Sequence, residues 1–214
     1  AIDASLRRLN VDHLDVMMLH GVLPSEYDLI VNKLAEPLIN AKTSGKIRSI
    51  GLSTRFSVDP AQKGALEALE KHPELWEVLM VKYGILNQHA SKFILPLAKQ
   101  HSVGIMNMAA VRVKLPDEKL LEKLILRWKS EGLIGKESLP DNDPLGWLLN
   151  KEVESVIDAG YKFAAEPQSV STVLTGTATI SHLESNVKYL ENPRLNKIDS
   201  DKLKCLFQDI VEYV

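Results

Sequence analysis

The chain has 214 residues, 45% hydrophobic and 25% charged, enough for one sizeable domain that buries its own core. With 28 acidic and 26 basic residues the formal charge is −2, so no basic field argues for a nucleic-acid partner. Cys205 is the only cysteine, which excludes an intrachain disulfide or a multi-cysteine metal site, no apolar run approaches the ~18 residues of a membrane span, and AIDASLRRLN lacks the apolar stretch of a secretory signal.

The chain alternates short apolar runs with segments of helical period. Residues 14–19, LDVMML, read as a strand that ends at His20-Gly21. Ser25 offers an N-cap, with Asp28 three positions on as a variant of the capping box. Tyr27, Ile30, Leu34, Leu38 and Ala41 then share one helix face, kinked at Pro37 and ended by Ser44-Gly45. Strand 48–52 follows. Asp59-Pro60 reads as a cap with proline at the first helical position, and Ala65, Leu66 and Leu69 as the buried stripe that His72-Pro73 stops. Strand 77–81, a helix across 90–100 and strand 103–107 come next. A helix at 117–131 places Leu120, Leu121, Leu124 and Trp128 inward, and the turn-rich loop ESLPDNDPLGW leads to a helix across 152–165. The last strand is 171–174. Thr175-Gly176-Thr177 turns into a helix near 179–191, and a terminal helix covers about 199–212.

Strands alternating with helices predict an α/β fold with a parallel sheet, either doubly wound or closed into a barrel. No G-x-G-x-x-G follows any strand, so the Rossmann signature is absent. Polar or small residues follow each predicted strand: His20-Gly21, Ser53-Thr54-Arg55, Lys82-Tyr83, Asn107 and Thr175-Gly176-Thr177. In a (β/α) barrel those positions share the catalytic rim; on spacing alone, each is better explained as a loop residue satisfied by water. Strand, Thr-Gly-Thr, then helix aims backbone N–H groups at an anion, although Gly176 also suits a plain tight turn. Lys46 and Arg48 read as a solvated turn, and Trp76, Trp128, Trp147 and the five methionines as packing residues.

Three segments together resemble the aldo-keto reductases. SLRRLNVDHLDVMMLHG (5–21) is similar to the element leading into that family's fourth strand, SGKIRSIGLST (44–54) to its fifth strand, and VLTGTATISHLESN (173–186) to its eighth-strand motif. GIMNMAAVRVKL with DPLGWLL resembles the branch of sugar-oxidising 1-dehydrogenases. The resemblance implies a nicotinamide-dependent oxidoreductase of the cytoplasm that moves a hydride between a small carbonyl or sugar substrate and its cofactor, NADP or NAD. His20 matches the histidine of the family's Asp, Tyr, Lys and His tetrad, where a neutral imidazole hydrogen-bonds the substrate oxygen. Ser53 and Thr54 match the Ser-Asn pair that holds the carboxamide. Gly176, Thr177, His182, Ser185 and Asn186 match positions around the adenine and 2′-phosphate. No metal is implied.

The departures are specific. Met80 stands where the family has a carboxamide-binding glutamine, and Met108-Ala109-Ala110 where an aromatic stacks on the nicotinamide. Gly176 and His182 replace basic residues that bind a 2′-phosphate, which implies a preference for NAD. The tetrad's Asp, Tyr and Lys belong to the first three strands, and Tyr27, Tyr83, Tyr161, Tyr189 and Tyr213 all fall elsewhere. A complete barrel runs to about 250 residues or more. The expectation is therefore a partial (β/α)8 TIM barrel comprising roughly strands 4 to 8 with their helices, residues 1–214 being its C-terminal part, without strands 1 to 3 and inactive alone. Strands 14–19 and 171–174 should then lack a neighbour and need cover from the missing N-terminal segment or a second chain. The alternative is a short, non-catalytic nucleotide-binding or structural module. Neither G-x-S-x-G nor H-E-x-x-H supports a hydrolase, and neither nucleic acid nor membrane is expected as a partner.

Overall fold

The computed structural model describes residues 1–192 and 194–211. Helix α1 (Ile2–Leu9) leads into β1 (Leu14–Val22), followed by α2 (Tyr27–Thr43), β2 (Ile47–Thr54), α3 (Lys63–Lys71) and β3 (Val78–Lys82). Then come α4 (Ile94–Gln100), β4 (Gly104–Met108), α5 (Glu118–Ser130), α6 (Val156–Ala165), β5 (Val170–Val173), α7 (Ile180–Glu191) and α8 (Lys197–Phe207). The strands form one parallel sheet in the order β1-β2-β3-β4-β5, each beside its predecessor in sequence. Parallel neighbours need a crossover, and the intervening helices supply it.

Several boundaries differ from the sequence expectation for local reasons. Ser25 does not cap α2; it lies in a 3-10 turn (Pro24–Glu26), and the Glu26 carboxylate reaches back to accept from the Leu23 N–H at 3.2 Å. Helix α3 starts at Lys63, not Pro60, because Gln62 is left-handed (φ 54). Asp59 still contributes, accepting from the Gly64 N–H at 3.0 Å. The expected helix across 90–100 divides into a 3-10 turn (His89–Ser91) and α4. Ser155 caps α6 by accepting from the Asp158 N–H at 3.0 Å, which sets its start four residues later than expected. Asn196 caps α8, which ends at Phe207; residue 212 of the expected helix lies outside the described residues. Leu120 faces solvent while Leu121, Leu124, Ile125 and Trp128 are buried, because Asp117 caps α5 and turns that stripe inward. Lys46 and Arg48 are more than a solvated turn: they pair with Asp3 at 2.8 Å and Asp15 at 2.7 Å.

The two sheet faces are unequal. Registers Met17↔Ile50, Leu19↔Leu52, Leu52↔Leu79 and Leu79↔Ile105 place these residues on one face. Leu52, Leu79 and Ile105 are fully buried there, each worth about 1.5–3 kcal/mol over exposure. Met17 and Leu19 border a groove with Leu34 and Leu38 of α2, so this is the helix-covered side. On the opposite face Met18 meets Gly51, Gly51 meets Val78, and Met80 meets Met106. Met18, Val78, Met80 and Met106 are all only half-buried. A Cβ on Gly51 would lie 2.2 Å from the Met18 sulfur and 2.9 Å from the Val78 carbonyl, so that face is crowded along the sheet yet open above it. Among the described residues β1 pairs only with β2 and β5 only with β4, so both edges are unpaired, as the sequence led one to expect.

Candidate active site

Strand alternation carries His20, Ser53, Lys82 and Met108 to the carboxyl ends of β1 to β4 on the open face. A cavity of about 320 Å³ lies there, lined by residues from all four strand ends, including His20, Thr54, Lys82 and Met108. His20 is exposed, whereas Thr54 is buried and its Oγ1 has no hydrogen-bond partner. A buried hydroxyl without a partner is uncommon and marks a place where a ligand atom can bind. Ser53 sits behind the cavity rather than in its wall, its Oγ accepting from the Gly21 N–H at 3.4 Å. Gly21 is left-handed (φ +68), and its bare Cα lies beneath the Arg55 guanidinium, with Nε 3.5 Å from where a Cβ would stand.

Lys82 is held from its backbone. The Gln62 amide donates to the Lys82 carbonyl at 2.8 Å and accepts from the Lys82 N–H at 2.7 Å. Its ammonium lies 4.5 Å from the centre of the Phe56 ring. Burial pushes the ammonium down to about 8, and the neighbouring charges of Lys114 and Arg112 push the same way.

Arg112 and Lys114 come from the segment after β4, which is fixed by two close approaches. A Cβ on Gly84 would lie 2.5 Å from the Ala110 carbonyl, and one on Gly160 2.6 Å from both Val111 and Leu115. Val111 and Leu115 thus turn into the protein while Arg112 and Lys114 line the cavity. Ala109 (φ 55) and Val113 (φ 68) are both left-handed, a costly conformation for a β-branched residue.

The remaining candidate residues are not gathered here. Gly176 and Thr177 lie exposed between β5 and α7, and His182, Ser185 and Asn186 lie on α7; none lines the cavity. Gly176 has open space where a Cβ would be and no left-handed φ, so neither close packing nor backbone geometry explains a glycine there. Ser185 donates to the Ser181 carbonyl at 2.9 Å, and Asn186 is buried. Asn107 is a structural clamp, not a rim residue: its amide binds both the N–H and the carbonyl of Tyr83, and the Ala164 carbonyl. Among the described residues no tyrosine lines the cavity. Tyr27 is engaged with His72 at 3.0 Å and Trp76 at 3.1 Å, and Tyr83 stacks on Phe163, its phenol pushed up by burial. Tyr213 lies outside the described residues. Sequence reasoning left out Arg112 and Lys114; their signal was two cations spaced across one valine just after a strand.

A sequence profile described as "Aldo/keto reductase family" matches residues 1–206. The chain belongs to this family. It is 21% identical over 204 residues to L-galactose dehydrogenase of Arabidopsis thaliana, covering 87% of this chain and 56% of that protein. It is 22% identical over 208 residues to the uncharacterized oxidoreductase YqkF of Bacillus subtilis, covering 96% of this chain and 63% of that one. The chain thus spans less than two thirds of either relative. The holo form of an aldo-keto reductase from Bacillus halodurans superposes with a TM-score of 0.70 at 24% identity, over 99% of this chain and 67% of that chain. One from Klebsiella pneumoniae in complex with NADPH gives 0.65 at 20% identity, over 100% and 67%. At this identity the likeness shows a shared fold, with the parallel five-strand sheet consistent with an aldo/keto reductase barrel.

Proposed function

We propose that the protein is an NAD(P)-dependent oxidoreductase acting between a nicotinamide cofactor and a small carbonyl compound or sugar. The observation that carries this reading is the unpartnered, buried Thr54 hydroxyl in the same cavity wall as His20, in a chain of the aldo/keto reductase family. The Klebsiella relative described with NADPH supports the cofactor class. Thr54 would hydrogen-bond the carboxamide, with Ser53 beside it. Gly176, Thr177, His182, Ser185 and Asn186 would face the adenine end. With Gly176 and His182 in place of basic residues, we expect NAD to bind at least as well as NADP.

Bound nicotinamide supplies or accepts the hydride. The chain's own part is to hold and polarise: the His20 imidazole donates to the substrate oxygen and stabilises the charge that develops on it. The proton-transfer tyrosine and the cover for the half-buried Met18, Val78, Met80 and Met106 would come from further polypeptide, either preceding strands of the same protein or a second chain. That no tyrosine lines this cavity among the described residues favours one competing reading, a nucleotide-binding module without catalysis.

A carbonyl-substrate screen on the full-length native protein with NADH and NADPH, alongside its intact mass, separates the two. Turnover that falls in His20→Ala, from a protein well above the 23.9 kDa of this chain, supports the enzyme. Cofactor binding without turnover by any carbonyl, at that mass, supports the module. Tighter binding of NADPH than NADH removes the NAD preference.

A further inference from the structure

The His20 ring makes no hydrogen bond among the described residues, so the backbone that carries it sets its aim. That backbone is irregular. Leu19 pairs with Leu52 and Val22 with Thr54, so His20 and Gly21 together stand opposite Ser53 alone. One extra residue in β1 makes a β-bulge. The bulge resolves a conflict of faces. Strict alternation would turn residues 20 and 22 the same way, yet His20 is exposed in the cavity wall and Val22 is buried in the core. Both flanks are fixed. Met17, Met18 and Leu19 stay in register with Ile50, Gly51 and Leu52, and the Val22 carbonyl lies 3.2 Å from where a Cβ of Gly64 would stand. Gly21 absorbs the extra residue in the left-handed region (φ +68). The Ser53 hydroxyl accepts from its N–H at 3.4 Å, where the ladder is broken.

We infer that Gly21 and Ser53 are positioning residues for His20: the bulge they form turns the imidazole into the cavity while the chain beyond it enters the core. The inference rests on the oxidoreductase reading above, which gives His20 its role. It is compatible with the place of Ser53 beside the carboxamide, because a hydroxyl that accepts from Gly21 still has its own proton to donate. The left-handed φ, not lack of space, calls for glycine. A Cβ at Gly21 would meet the Arg55 Nε at 3.5 Å, an ordinary contact. Asparagine visits the left-handed region more readily than alanine does. The larger asparagine should therefore keep the bulge that the smaller alanine disturbs.

The test uses the full-length native protein and two readouts. In the cofactor-free protein, the imidazole 1H–15N correlations are recorded, that of His20 being identified by its loss in His20→Ala. Gly21→Ala and Ser53→Ala should each displace it, and Gly21→Asn should leave it near the parent position. With an aldehyde the protein turns over, Gly21→Ala should lower kcat about tenfold or more, since a misplacement of about 1 Å can cost a hundredfold. Gly21→Asn should recover most of that loss. In a His20→Ala background, Gly21→Ala should change kcat by less than about twofold, because residues that act through one another are not additive. A His20 signal unmoved by both Gly21→Ala and Ser53→Ala overturns the inference. So does a larger loss in Gly21→Asn than in Gly21→Ala, or a Gly21→Ala loss that persists in full without His20. Turnover that falls in His20→Ala while Gly21→Ala leaves signal and kcat unchanged removes the positioning role and leaves the oxidoreductase standing. A displaced signal in a protein that turns over no carbonyl does the reverse.

Discussion

Gln62 grips Lys82 by both backbone groups, donating from Nε2 to its carbonyl at 2.8 Å and accepting at Oε1 from its N–H at 2.7 Å. The end of β3 is thereby held by a side chain that takes the place of a strand. Gln62→Ala leaves a buried donor and a buried acceptor without partners, at about 1–3 kcal/mol each. Urea unfolding should show a loss of about 2–4 kcal/mol. A loss below about 0.5 kcal/mol, the range of ordinary surface substitutions, would contradict the clamp.

Lys82 should make stability depend on pH. Its ammonium titrates near 8 in the folded chain against an ordinary 10.5. Between those values the unfolded chain binds the extra proton, so this lysine's contribution to stability rises from pH 8 to 10.5 and levels off above. Below pH 8 the folded protein bears the full cost of the buried charge. Lys82→Met should therefore be more stable than the parent at pH 7, by up to about 3 kcal/mol, with the difference closing toward pH 10.5. A difference that stays constant across that range in urea melts would contradict the burial of a charged amine.

Gly84→Ala should act at a distance from its own strand end. The added Cβ would stand 2.5 Å from the Ala110 carbonyl, a backbone atom that cannot rotate away. Either β3 or the segment after β4 must move, at about 1–3 kcal/mol. Urea unfolding should show that loss, and the displaced segment carries Arg112 and Lys114 away from the cavity wall. A variant as stable as the parent would contradict the close approach.

Asn107→Leu should cost more than its volume change explains. Its amide serves Tyr83 on both backbone groups and the Ala164 carbonyl. Leaving those buried groups unpaired costs about 1–3 kcal/mol apiece, so thermal unfolding should fall by several degrees. A melting point equal to the parent's would show that water replaces the amide.

The βα rhythm was readable from the sequence because buried parallel strands are short continuous apolar runs and their helices carry one apolar stripe. The unpaired edges at β1 and β5 followed from the same count. Helix starts were less legible: whether Ser25 caps α2 or Glu26 closes the turn before it depends on which side chain meets a free backbone N–H, and Glu26 takes that of Leu23. The site divided likewise. His20 and Thr54 stood out by position after a strand, and they do share a cavity. Lys82 stood out in the same way; Arg112 and Lys114 did not, because their place in the cavity wall depends on contacts distant in sequence, the close approaches at Gly84 and Gly160. Asn107 looked like a rim residue because a buried amide that cross-links two strands and a helix carries no local mark.

Hydride transfer in the cavity beside His20 is tested most directly by following an isotope from cofactor to product. The full-length native protein is given nicotinamide cofactor deuterated at the transferring carbon and an aldehyde it turns over. The deuterium should appear on the carbinol carbon of the product, and His20→Ala should slow its appearance by about a hundredfold or more. Reduced product without deuterium, or a His20→Ala rate equal to the parent's, would contradict the account.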